Sequence, residues 1–139
     1  MENIFSIISI KLAPNPRNIF LIDGIGALLS GLLLIFLIAP FEEIFGMSPN
    51  MSYQLTIPVW GFMVYSLSCY FLNLNNWKPF LRFIAIANFL YCCLTFCLII
   101  IQFQTLSILG IAYFLVEIIV ILLLVSIEWS IIKKHDSLP

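Results

Sequence analysis

Charge is the scarcest thing in this sequence. Asp, Glu, Lys and Arg together make up 9% of it and hydrophobic residues 63%, whereas a soluble domain has roughly a quarter of its residues charged. So few charges cannot cover a globule of 139 residues with a wettable surface. A secreted disulfide scaffold and a disordered chain fit this composition poorly. A surplus of positive charge is also missing: the formal net charge is −1, so no nucleic-acid partner is expected.

Histidine is nearly absent. His135, the only one, stands in the C-terminal tail, which excludes bis-histidine haem and histidine-rich metal sites. The four cysteines (Cys69, Cys92, Cys93, Cys97) lie inside apolar runs and none lies in a loop, so they form no disulfide framework. Cys93 and Cys97 share a helix face, but two thiols are an incomplete set for zinc or an iron–sulfur cluster. Gly-x-Ser-x-Gly, Walker A, Rossmann and His-Glu-x-x-His motifs are missing too. No cofactor, no metal and no enzymatic activity are therefore expected. Glu2 stands where a basic n-region would be, so no cleaved signal peptide is expected.

What the sequence has is four long apolar runs, at residues 19–39, 55–74, 80–103 and 106–132. Each reaches the roughly 20 residues that an α-helix needs to cross a hydrocarbon core about 30 Å thick. Transmembrane β-strands would be about 10 residues long and alternate in polarity, whereas Leu32 to Ile38 is continuously apolar. The fold class is all-α: a polytopic membrane protein, one four-helix transmembrane bundle filling residues 1–139. Residues 1–17 hold Ile4, Phe5, Ile7, Ile8 and Ile10 before Pro14-Asn15-Pro16, a pattern that predicts a short interfacial helix ahead of the first span. Between the first two runs, Phe41, Ile44 and Phe45 at i, i+3, i+4 predict one helical turn lying on the membrane.

Basic residues set the orientation. With four crossings, Lys11, Arg17, Lys78, Arg82, Lys133 and Lys134 all fall on one side, while the other side has Glu42 and Glu43. This six-to-zero asymmetry predicts a multi-pass membrane protein with both termini cytoplasmic. Trp77 and Trp129 are expected at the inner interface, Tyr53 and Trp60 at the outer one.

Ionisable groups inside spans cost several kcal/mol if they face lipid, so they mark function or interhelical contact. Asp23, Arg82 and Glu128 lie at comparable depth toward the basic side. They could form a structural ion cluster that sets helix register, or an anionic or proton-accepting vestibule. Glu117 precedes Glu128 by eleven residues, which returns to the same helix face within about 20° and places it roughly 16 Å deeper. No basic residue reaches that depth, so Glu117 is expected to be protonated and to donate a hydrogen bond across helices. Asn88, Cys92, Thr95 and Gln102 form a stripe on the third segment with Tyr91 beside it, and Tyr113 shares the Glu117 face. On the second segment Tyr65, Ser68 and Cys69 form a weaker stripe. Gly24, Ala27, Ser30 and Gly31 on the first are spaced for close helix approach. The candidate ligand or proton site is therefore Asp23, Asn88, Tyr91, Tyr113 and Glu117, with interhelical adhesion as the alternative use of the same residues.

Three stretches carry a resemblance. Leu-Ile-Asp-Gly-Ile-Gly-Ala-Leu-Leu-Ser at 21–30, Arg-Phe-Ile-Ala-Ile-Ala-Asn-Phe-Leu-Tyr at 82–91 and Tyr-Phe-Leu-Val-Glu at 113–117 resemble a group of small bacterial four-helix inner-membrane proteins, and are loosely similar to DoxX-like bundles. The resemblance implies one bundle in a bacterial cytoplasmic membrane. It brings no catalytic residue, and its stretches contain Asp23, Asn88, Tyr91 and Glu117.

Two functions are compatible with these features. In one, the interior binds or passes a small amphiphile, lipid or proton through the polar cluster, with membrane lipids as partners and a homodimer needed for a full transport path. In the other, the chain is a structural or accessory subunit docked on another membrane protein.

Overall fold

The computed structural model describes Ile4, Ile7, Lys11 and residues 15–137. The interfacial helix expected over residues 1–17 falls mostly outside them; Ile4, Ile7 and Lys11 are themselves helical and exposed. Helix α1 (Arg17–Leu33) runs on into a π-helical turn, Leu34–Ile38. It is followed by the single turn α2 (Glu42–Phe45), then α3 (Pro49–Leu72), α4 (Lys78–Ile101) and α5 (Ile108–Asp136). No strand occurs among the described residues. The protein is an all-α four-helix bundle. Four helices, of 22, 24, 24 and 29 residues with the π-turn counted in the first, are long and apolar enough to cross a membrane.

Local chemistry sets where each helix begins and ends. Pro16 precedes α1, where its missing N–H goes unneeded. The π-turn places both Leu34 and Ile38 in the core, and Ala39 N–H closes it on Leu34 O at 2.9 Å before Pro40 ends the helix. Pro49 opens α3, and Asn73 closes it in the left-handed conformation, φ 48°. This helix starts six residues ahead of the hydrophobic run because Pro49 and the polar residues after it form its first turns. Trp60 is consequently eleven residues past Pro49 and sits mid-helix. Ser107 caps α5 by accepting Gly110 N–H at 3.0 Å. The last turn of α5 contains Lys133 and Lys134, opposite in sign to its helix-dipole end.

The predicted turn over Phe41, Ile44 and Phe45 is α2. It ends at Gly46, whose φ of 74° suits glycine and whose Cα lies hard against the backbone around Thr105 and Leu106. Ser107 N–H donates to Phe45 O at 3.1 Å, which ties this loop to the α4–α5 turn.

The four long helices form two pairs. α1 packs along α3 and α4 along α5, and the two pairs touch each other much less. Small residues bring α1 and α3 together: a Cβ at Gly24 would meet Leu67, and one at Gly31 would overlap the Trp60 ring. Two apolar clusters fill the interior. Ile19, Phe20, Cys69, Leu81, Ile84, Ile131 and Ile132 pack toward the basic end. Leu34, Ile38, Met47, Leu55, Val59, Ile99, Leu106 and Phe114 pack toward the loop end, with Tyr91 among them. Asp23 on α1, Ser66 on α3 and Asn88 on α4 are buried polar residues that fall between these clusters. The flanks of the bundle are largely apolar, with Ile57 74% and Ile108 86% exposed, a surface that water would not tolerate and hydrocarbon does.

Candidate functional site

Asp23 is 3% exposed on α1 and joins three helices. Asn88 Nδ2 of α4 donates to its Oδ1 at 2.7 Å, and Ser66 of α3 donates to its Oδ2 through a short hydrogen bond. Both carboxyl oxygens are thus satisfied by neutral donors. Each donor belongs to a helix that α1 must be held against, and Asn88 links one helix pair to the other.

A second polar tie runs from α1 to α5. Ser30 Oγ–H donates to Glu117 Oε1 at 2.7 Å. Glu117 thus takes part in an interhelical bond as the acceptor and not as the expected donor, and its partner is a residue whose small size suggested only close packing. Glu117 Oε2 has no hydrogen-bond partner, and neither do the hydroxyls of Tyr91 and Tyr113. Phe62 meets Tyr91 edge-on with ring centres 6.1 Å apart, and Phe45 of α2 meets Tyr113 at 6.4 Å. The apolar rings orient the two phenols without satisfying them.

These groups line one cavity of about 560 Å³ between the two helix pairs. Asp23, Asn88, Tyr91, Tyr113 and Glu117, the five residues singled out in the sequence, are all in its wall. Val59 and Phe62 of α3 complete the back. The sides are two stripes of apolar or small residues: Gly26, Leu29 and Leu33 on α1, and Leu109, Ala112, Val116 and Val120 on α5. Every residue of both stripes is exposed. The cavity therefore opens sideways, through the gap between the first and last long helices, which barely touch. No Lys, Arg or His is in the wall.

The expected cluster of Asp23, Arg82 and Glu128 does not form. Arg82 Nη2 pairs with Asp136 Oδ2 at 2.9 Å, and Lys78 Nζ reaches Asp136 Oδ1 at 2.8 Å, both at the exposed end of the bundle. A guanidinium on a long apolar stem extends toward the polar end of its helix and leaves the interior. Arg17 does the same: its Nε donates to Tyr70 O at 2.7 Å and its head lies over the Tyr70 ring. Among the described residues no cation joins Asp23 and Glu128. Glu128 is fully buried, lies outside the cavity wall, and has no hydrogen-bond partner on either oxygen.

Ser66 is the functional partner that the sequence did not reveal. The polar stripe expected on this helix ran through Tyr65, Ser68 and Cys69, but Ser68 is exposed and Ser66 is buried. A lone serine in an apolar run gives no sign of which way it faces; only the packing of Leu67 against Gly24 sets that rotation. Tyr65 turns away to donate to Phe80 O at 3.1 Å. Cys92 and Thr95 are buried as the stripe on α4 predicted, yet Thr95 donates back to Tyr91 O within its own helix. Gln102 falls beyond the end of α4. Among the described residues, no group of three or more His, Cys, Asp or Glu is placed to hold a metal ion.

No family model, curated protein or solved structure matches this chain.

Proposed function

We propose that this protein binds a single-chain amphiphile inside a bacterial inner membrane, with both termini in the cytoplasm. One observation carries the reading: the cavity of about 560 Å³ opens toward the lipid-facing side of the bundle and has polar groups on its inner wall. A ligand with an apolar chain and a polar head matches both features. Its head would meet Asp23, Asn88 and Glu117, and its chain would lie along Leu29, Leu33, Val116 and Val120. The volume falls within the roughly 300–1,000 Å³ of small-molecule sites. At roughly 30 Å³ per non-hydrogen atom, the share of a water molecule in the liquid, it has room for on the order of 18 such atoms. That suits one chain and a small head. The orientation is supported by the side on which the basic residues fall, and the membrane assignment by the resemblance drawn above.

Ala112→Phe tests the reading. Ala112 is an exposed residue of the cavity wall, so a phenyl group there fills the opening without displacing core side chains. Native mass spectrometry of the protein released from lipid nanodiscs should show a small-molecule adduct on the wild type and none on the variant. A bare protein, or a co-purifying protein held equally by both, would instead make the chain a structural or accessory subunit.

A further inference from the structure

We infer that the amphiphile this cavity selects is cationic: a single apolar chain ending in a protonated amine, received by Glu117 at its free Oε2, with Asp23 a second carboxyl farther along the cavity. The inference rests on the cavity being an amphiphile site and adds the chemistry of the head group.

Three observations carry it. First, the ionisable groups of the wall that can be charged at neutral pH are all of one sign. Asp23 and Glu117 line the cavity, and Lys, Arg and His do not. An anionic head would enter a wall with no cation to receive it, whereas an ammonium would meet two carboxyl groups. Second, acceptor capacity is left over. Glu117 is 8% exposed, lines the cavity, and has Oε2 without any partner. Asp23 already accepts from Ser66 and Asn88, but a carboxylate has about four lone-pair sites and can accept again. A protonated primary amine offers three donors and no acceptor, which complements such a wall. Third, Phe62, Tyr91 and Tyr113 present aromatic rings to the same space, and ring faces attract cations in a desolvated site.

The placement of the two carboxyls agrees with this. Ser30, which holds Glu117, is seven residues beyond Asp23 on α1, or about 10 Å along the axis. An ammonium near Glu117 therefore lies mid-cavity with Asp23 toward the basic end, while its chain leaves through the gap between α1 and α5. Nothing else in the wall could neutralise these acids, so occupancy by a cation relieves what is otherwise a cost of burying them.

The test compares three probes of equal chain length on the full-length protein in nonionic detergent at pH 7: dodecylamine, dodecan-1-ol and dodecanoate. Native mass spectrometry reads the occupancy of the adduct as each is titrated. The expected result is that the amine binds at least about tenfold tighter than the alcohol, since charge-assisted hydrogen bonds are about twice as strong as neutral ones, and that dodecanoate does not compete. Glu117→Gln should bring amine and alcohol to similar affinity. Equal binding of amine and alcohol by the wild type, or preference for dodecanoate, would overturn the inference and leave the amphiphile reading standing. Binding of none of the three would remove both. The wild-type comparison decides by itself should Glu117→Gln fail to fold, and loss of all adducts in Ala112→Phe places the binding in this cavity.

Discussion

Replacing Asn88 by leucine should loosen the bond between the two helix pairs by an amount that the geometry bounds. Among the described residues Asn88 Nδ2 is the only donor that Asp23 Oδ1 has, at 2.7 Å, and Asp23 is 3% exposed. Leucine preserves the side-chain volume closely and removes the donor, which leaves a buried carboxyl oxygen unpaired. Such an orphan costs about 1–3 kcal/mol. Interhelical hydrogen bonds between membrane helices have measured couplings averaging about 0.6 and reaching about 1.7 kcal/mol, because the unfolded chain in the membrane also finds partners. Asn88→Leu should therefore destabilise the fold by about 1–3 kcal/mol, with the larger part arising from the stranded oxygen. Removing both partners tests that division. In Asp23→Leu with Asn88→Leu no carboxyl is stranded, and Ser66 can turn its hydroxyl to a carbonyl of its own helix. The double variant should be more stable than the sum of the single losses by about 1 kcal/mol. Reversible unfolding in mixed micelles, followed by tryptophan fluorescence, measures all four corners of the cycle. Losses that add within about 0.3–0.5 kcal/mol would refute the bond as a link between the pairs.

The small-residue contact between α1 and α3 should be unequal along its length. Gly31→Ala drives a methyl into the rigid Trp60 ring and should cost at least about 1–3 kcal/mol, with recovery in combination with Trp60→Leu. Gly24→Ala meets only the branched end of Leu67, 2.8 Å away, and should cost clearly less in the same unfolding assay. Glu128→Leu should raise stability by about 1–3 kcal/mol, because it removes a fully buried carboxyl with both oxygens unpaired; a drop in the unfolding midpoint would show that the carboxyl has a stabilising partner. For orientation, a reporter active only in the cytoplasm should work when fused after Pro139 and fail when inserted between Glu43 and Ile44, and the reverse pattern would invert the topology.

Much of the architecture is visible in the order of residues. Four uninterrupted apolar runs leave the backbone of a membrane protein no choice but helix, since lipid cannot hydrogen-bond to it. The runs end at Ala39, Leu74, Phe103 and Ile132, and the observed helices keep to the expected limits within two residues except at Pro49, six residues early, and Asp136, four residues late. Asp23, Asn88 and Glu117 stand out for the same reason: a polar group in an apolar run must turn inward, so depth and face can be read from spacing.

Partners are different. Arg82 shares a depth with Asp23 and Glu128, but the reach of its side chain takes it to Asp136, 54 residues away. Ser30 and Ser66 carry the bonds to the two carboxyls, and neither can be told from Ser68 by composition or hydropathy. Their roles follow from how each helix is rotated about its own axis, which depends on Gly24 against Leu67 and Gly31 against Trp60.

The sequence by itself therefore determined the number of helices, their approximate limits and the inward residues, because hydrocarbon penalises each exposed polar group separately and so leaves a local mark. Only the tertiary structure decided that the helices associate as α1 with α3 and α4 with α5, that Asp23 is shared by Ser66 and Asn88, and that a cavity remains with an opening between α1 and α5. Those outcomes depend on close packing between surfaces distant in the chain. In lipid, apolar helix faces gain little from burial against each other, so hydropathy cannot say which of them meet.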